Sequence, residues 1–199
     1  MKLSPRLICL ALAALMLGSA PALPVFAQAN AAVQAPVDPA KVDIGVKIFR
    51  EIHFLEILTM GAKQGLMENP EVAGLAAPER DKLFALLDEE MQKREATMAR
   101  KLAAANVGPY TLAELNDILT VVKIKYVQEI IMQGADPTRP NPDPAMMTPA
   151  EQAVVAKIDQ MPYVTKFLGD FAFGDISTDI SEAVAAAVER YVATLPAQK

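Results

Sequence analysis

Cysteine, histidine and tryptophan are nearly missing from this chain: Cys9, His53 and no tryptophan in 199 residues. With Cys9 alone no internal disulfide can form, and a sulfur-ligated zinc site lacks its ligands. Without tryptophan, stacking of a sugar ring loses its usual platform. A single histidine starves most catalytic and metal chemistry. A Ser-His-Asp hydrolase would have to use His53 as its base, and no Gly-x-Ser-x-Gly elbow is present; the serines beyond the N-terminal region are Ser177 and Ser181. Helical di-iron sites need Glu-x-x-His on two helices, and mononuclear zinc enzymes need two or three nitrogen ligands. His53-x-x-Glu56 supplies at most one such pair. A basic run is also missing, so neither nucleic acid nor anionic lipid has an electrostatic footprint to meet.

The N-terminus carries the most specific signal. Lys2 and Arg6 form a basic start, Leu7 to Leu17 is an apolar run, and Gly18, Ser19, Pro21 and Pro24 lead to Val25-Phe26-Ala27-Gln28-Ala29. That order is a secretory signal peptide over residues 1–29, with small-x-small sites for cleavage after Ala27 or after Ala29. The apolar run is about 11 residues, short of the roughly 20 needed to span a bilayer. Cys9 follows Ile8 inside the run, so it does not make a lipoprotein site. Cleavage removes the only thiol along with Lys2 and Arg6, moving the net charge from −5 to about −7. The expected product is a soluble periplasmic protein without a transmembrane segment, large enough for one domain.

Residues 30–40 are rich in Ala, Pro and Gln and read as a flexible leader. The helical domain is expected over 41–195. Val42, Ile44, Val46 and Ile48 alternate as in a strand, but Ile48, Ile52, Leu55 and Leu58 share one helical face, and no second strand exists to pair with a first. A helix over Lys41 to Asn69 is the better reading. Pro70 to Ala77 is a break. Pro78 then opens a helix running from Glu79 to Asn106, acidic at its start and basic (Arg100, Lys101) towards its end, as the macrodipole favours. Glu89–Lys93 and Glu90–Arg94 are i,i+4 pairs on it, and they make Asp88-Glu89-Glu90 read as a solvated face.

Thr111-Leu-Ala-Glu114 is a capping box, opening a helix that stops near Gly134. The prolines of 134–147 predict an exposed loop. Thr148-Pro-Ala-Glu151 repeats the box, Pro162 breaks the helix that follows, Tyr163 to Phe173 is a short helix, Gly174 interrupts, and Ile176 to Leu195 is the last helix, with Glu182 and Arg190 on its wet side. The fold class is therefore all-α: one domain of five or six helices. A shift of 37 residues lays Thr111, Ala113, Glu114, Tyr126 and Val127 on Thr148, Ala150, Glu151, Tyr163 and Val164. Duplication of a helix pair would produce this match, and so would chance, because T-x-x-E boxes are common at helix starts.

Chemistry other than burial is thinly represented. Carboxylate catalysis needs only one or two acidic side chains, and Asp88-Glu89-Glu90 is the densest acidic cluster. Thioethers can hold copper(I); Met146-Met147 is the exposed-looking pair, but methionine also fills cores. Methionine and leucine on helices can in addition form a yielding groove for a peptide, lipid or unfolded client. No catalytic, cofactor or metal residue is assigned.

Thr111-Leu-Ala-Glu114-Leu115, with Thr148-Pro-Ala-Glu151 and the Met161-Pro162 break, resembles an exported bacterial family, domain of unknown function 2059. Its pattern is T-x-E-E-L, then F-Y, then S-P-x-G. Here Ile158-Asp159 stands at the aromatic pair, Met161 at the serine and Val164 at the glycine. The resemblance implies an exported helical protein and brings no site. Thr148-Pro-Ala-Glu151-Gln152 is also similar to the L-T-x-x-Q helix starts of periplasmic stress chaperones, with Glu151 at the glutamine position. The expected function is a non-catalytic envelope protein that binds a partner protein or an apolar ligand. The alternatives are a carboxylate-dependent envelope enzyme and a chaperone-like client binder.

Overall fold

Prolines and short polar caps decide where the helices of this chain begin. In the computed structural model, residues 37–170, 172, 173 and 175–195 are described. The signal-peptide reading, most of the leader and the Gly174 break lie outside them. The first helix, α1 (Pro39–Glu51), starts at a proline whose missing N–H is no loss there, and the Asp38 carboxylate accepts the Ala40 N–H at 2.9 Å. Next come α2 (Phe54–Met67), the single turn α3 (Pro70–Ala73) capped by Asn69, and the 30-residue α4 (Ala77–Asn106). The second half holds α5 (Leu112–Val122), α6 (Lys125–Ala135), α7 (Pro149–Val155), α8 (Pro162–Gly169) and α9 (Ile176–Ala193), with 3-10 turns at Pro144–Met146 and Ile158–Gln160. The described residues contain no strand, so the fold is all-α as expected. None of these helices is long and apolar enough to cross a membrane.

The spine is α4, about 45 Å long at 1.5 Å per residue. It packs most extensively against α9 on one side and α1 on another; α5 lies on α1, and α8 on α5. Leu83, Leu87, Met91, Met98 and Leu102 are its buried stripe, as the periodicity predicted. Gly45 lets α1 approach closely: a Cβ there would stand 2.5 Å from Val107 Cγ1 and 2.9 Å from Ala103 Cβ. Tyr191 fastens the end of α9 by donating its hydroxyl to Glu79 at 3.0 Å; burial, and then that bond, push its pKa up to about 12. An aromatic cluster closes the core, with Phe167 of α8 5.8 Å from Phe49 and 5.4 Å from Tyr110 between ring centroids.

Two expected helices are each divided, which raises the helix count above the five or six read from the sequence. The helix expected over Lys41 to Asn69 turns at Ile52–His53. Ile52 and Phe54 are both buried on either side of the turn. A straight helix would have sent them in directions 200° apart. The turn brings Phe54 edge-on to Phe49, at 6.4 Å. The helix expected from Thr111 to Gly134 turns at Lys123–Ile124, where Ile124 is extended and buried. Its first half packs on α1 and α8, and its second half lies against the first half and the 3-10 turn at Pro144–Met146.

Smaller corrections have local causes. The break over Pro70 to Ala77 contains α3, because Asn69 accepts the Glu71 N–H at 2.9 Å. The proline loop of 134–147 holds a 3-10 turn, with Pro144 at its first position and the Asp143 carboxylate accepting the Ala145 N–H. Met146 is exposed as expected, but Met147 packs half-buried against the core. Both capping boxes form: Thr111 and Thr148 each donate a backbone N–H to their glutamate at 2.7 Å. The starts of α5 and α7, and those of α6 and α8, are 37 residues apart, matching the sequence shift.

Candidate functional site

The turn between α1 and α2 is bought with backbone strain. His53 sits at φ 56°, ψ 37°, the only described non-glycine residue at positive φ. A left-handed residue costs about 1–2 kcal/mol unless it is glycine, although histidine visits this region more than most. Such strain persists where surrounding packing over-determines it, and it gathers at binding and catalytic sites. Ile52 and Phe54, buried on both sides, supply that packing.

His53 stands at one end of a surface cleft between α2 and α4. The end near the turn has a volume of about 300 Å³ and is bounded by Arg50, His53, Phe54 and Glu95. The cleft continues into a second hollow of about 390 Å³, bounded by Thr59, Met60, Lys63 and Asp88. Leu55, Glu56 and Gln92 line both, so the two are one trough. The walls follow from helical spacing. On α4, Asp88, Gln92 and Glu95 fall at i, i+4 and i+7; on α2, Glu56, Thr59 or Met60, and Lys63 recur at the same interval.

Every charged group on these walls is paired. Arg50 grips Glu95 with two nitrogens, at 2.7 and 3.0 Å, and that carboxylate raises the guanidinium pKa further. Lys63 meets Asp88 at 2.6 Å and lies 5.8 Å over the Phe84 ring. Glu56 is held at 2.6 Å by Arg139, reaching over from the proline loop. Thr59 returns its hydroxyl to the Leu55 carbonyl at 2.7 Å. His53 and Gln92 have no side-chain hydrogen bond within the described protein.

The sequence-stressed pair His53 and Glu56 therefore meets in one cleft, but as neighbours of an arginine-rich rim. No group of three or more His, Cys, Asp or Glu residues that could hold a metal occurs among the described residues. Ser177 and Ser181 are exposed on α9. Arg50, Gln92, Glu95 and Arg139 were not singled out from the sequence. The polar i, i+4, i+7 row on α4 was the available signal, but it looks the same as any solvated helix face. Most of the residues lining the cleft are polar, though their alkyl stems, with Phe54, Leu55 and Met60, make its surface about equally apolar. The exposed large apolar residues Met67, Leu112, Ile130, Met146 and Phe173 lie outside it.

The acidic cluster of α4 needs a correction. Asp88 and Glu89 are exposed, but Glu90 is 5% exposed and faces α9. Lys93 donates to it at 2.6 Å, Arg190 at 2.8 Å and Arg94 at 3.0 Å. The Lys93 bond above all, then Arg94 and Arg190, hold the Glu90 carboxyl down at about 2 against the burial that would raise it. Lys93 has left Glu89, which binds Arg190 at 2.7 Å instead. Arg190, expected on the wet side of its helix, is half-buried between α9 and α4.

No protein family matches the sequence, and no match is found among curated proteins or solved structures.

Proposed function

We propose that this chain is an exported, non-catalytic helical protein that binds a partner protein in the cell envelope, and that the α2/α4 cleft is its docking site. The trough carries this reading. It is open along its length, mixes polar and apolar walls, and ends at a strained residue. An acyl chain favours an enclosed, mainly apolar pocket, so a protein segment suits this lining better than a lipid does. The N-terminal pattern of Lys2, Arg6, the apolar run and Ala27 or Ala29 supports periplasmic export. The likeness of Thr111–Leu115 to domain of unknown function 2059 points to the same compartment. Against carboxylate catalysis, Glu56 and Glu95 of the cleft are each held in an ion pair, with Arg139 and with Arg50, which favours the charged form of both, whereas a catalytic pair must accept and return a proton.

The test is a photo-crosslinking amino acid at Gln92 in cells of the native host, with the same probe at exposed Lys123 as control. A discrete adduct from position 92 alone is expected, on a chain whose intact mass begins at Gln28 or Asn30. Equal labelling from both positions would refute docking in the cleft. Cell-wall digestion by purified protein, lost on Glu56→Gln or Glu95→Gln, would establish the enzymatic alternative.

A further inference from the structure

No residue between Met132 and Val164 is buried. The first part of that stretch is nevertheless tied down by polar contacts: Arg139 holds Glu56 at 2.6 Å, and Gln133 donates to Asn141. At the far end Tyr163 donates its hydroxyl to Asp117 at 2.7 Å, and Val164 and Phe167 of α8 are buried. Residues 143–161, between these moorings, are held differently. Among the described residues, none of them has an ion pair with the body. Their hydrogen bonds close within the segment: Asp143 on Ala145, the Thr148–Glu151 box, Gln152 on the Met147 carbonyl. Only the Met161 carbonyl reaches out, accepting the Val164 N–H at 2.9 Å where α8 begins. The 3-10 turns of the segment rest on α6 and α8, and α7 packs closely on no other element. What meets the body is five half-buried apolar side chains: Met147, Val154, Val155, Ile158 and Met161.

A segment held this way opens before the rest, because lifting it breaks few bonds to the body and exposes little apolar surface. Two of its five anchors are methionines, one towards each end. Met147 and Met161 are half-buried and within reach of a dissolved oxidant, whereas Met91, Met98 and Met132 are buried. Oxidation turns this flexible apolar side chain into a polar sulfoxide, which no longer favours burial. We propose that residues 143–161 are a strap that lifts from α6 and α8 as a unit, and that oxidation of Met147 and Met161 by a peroxide releases it. Each thioether sulfur takes one oxygen atom from hydrogen peroxide and gives up two electrons, the peroxide being reduced to water. The capping box of α7 is local and survives the release; the apolar anchoring does not. The device is separate from docking in the α2/α4 cleft and stands or falls without it.

The test is hydrogen exchange of the purified protein, read by mass spectrometry before and after treatment with hydrogen peroxide, with the sulfoxides located by peptide mapping. Before oxidation the amides of α7 should exchange about tenfold faster, or more, than those of α5 and α8. Oxidation of Met147 and Met161 should speed α7 by about a further tenfold, as two apolar anchors are lost, and leave α4 and α9 unchanged. A double variant, Met147→Leu with Met161→Leu, keeps anchors of similar size that cannot be oxidised. Its exchange without peroxide should match wild type, and its response to peroxide should vanish. Amides of α7 protected as strongly as those of α5 and α8 would overturn the strap. An α7 that does not respond to peroxide, a response that survives in the double variant, or one that spreads equally to α4 would overturn its release by the two methionines.

Discussion

Replacing Glu90 by Gln keeps the shape of the side chain and deletes its charge from the middle of three cations. The unfolded chain titrates this group near its ordinary 4.5, the folded one at about 2. Each pKa unit is worth about 1.4 kcal/mol, which sets a ceiling of about 3 kcal/mol. Lys93 and Arg190 are 59% and 40% exposed, so solvent screens part of that. About 2 kcal/mol is the expected loss for Glu90→Gln at pH 7, read from urea unfolding followed by circular dichroism. The sign in pH follows from the direction of the shift. A carboxyl with a depressed folded pKa contributes its stability fully above about 4.5, and the contribution drains away as pH falls from 4.5 towards 2. Wild type and variant should therefore differ most at neutral pH and converge near pH 2–3. Arg190→Ala should lose part of the same energy, and the double variant should lose less than the two singles together. A Glu90→Gln protein within about 0.5 kcal/mol of wild type at pH 7, or a gap that does not close with acid, would refute the assignment of Glu90 as a buried tie between α4 and α9.

Two further perturbations test the corners of the fold. Gly45→Ala gains about 1 kcal/mol of helix propensity, but its Cβ would stand 2.5 Å from Val107 and 2.9 Å from Ala103, so overpacking should prevail and leave a net loss of about 1–2 kcal/mol in urea unfolding. A gain in stability would mean that α1 and α4 are not so closely set. His53→Gly should stabilise by about 0.5–1 kcal/mol, because glycine carries no left-handed penalty but loses more chain entropy on folding; a lower melting temperature would show that the imidazole, and not the backbone, holds the turn.

Where a proline or a capping box opens a helix after a break, the start was legible in the sequence, and the reason is range. A cap acts over two or three residues: Thr111 on Glu114, Thr148 on Glu151; Asp38 caps α1 in the same way, but it lies in the stretch read as a flexible leader, so that start was missed. Prolines 78 and 149 mark helix starts by the same local rule. The all-helical class and the buried stripe of α4 followed from period alone. Helix ends and turns were less legible. An apolar run that overfills one helical face, as at Ile52 to Phe54, says that something must turn without saying where.

The cleft and the ion-pair tie were decided by the tertiary structure. Arg50 meets Glu95 across 45 residues, Arg139 meets Glu56 across 83, and Arg190 meets Glu90 across 100. In sequence, Glu90 is one acid in a row of three, and nothing within a helical turn separates the buried one from its solvated neighbours. Only the docking of α9 on α4 draws that line, because burial is a property of the second surface that arrives and not of the residue that waits for it. The chain's own order set what each helix could offer; the packing chose which offers met.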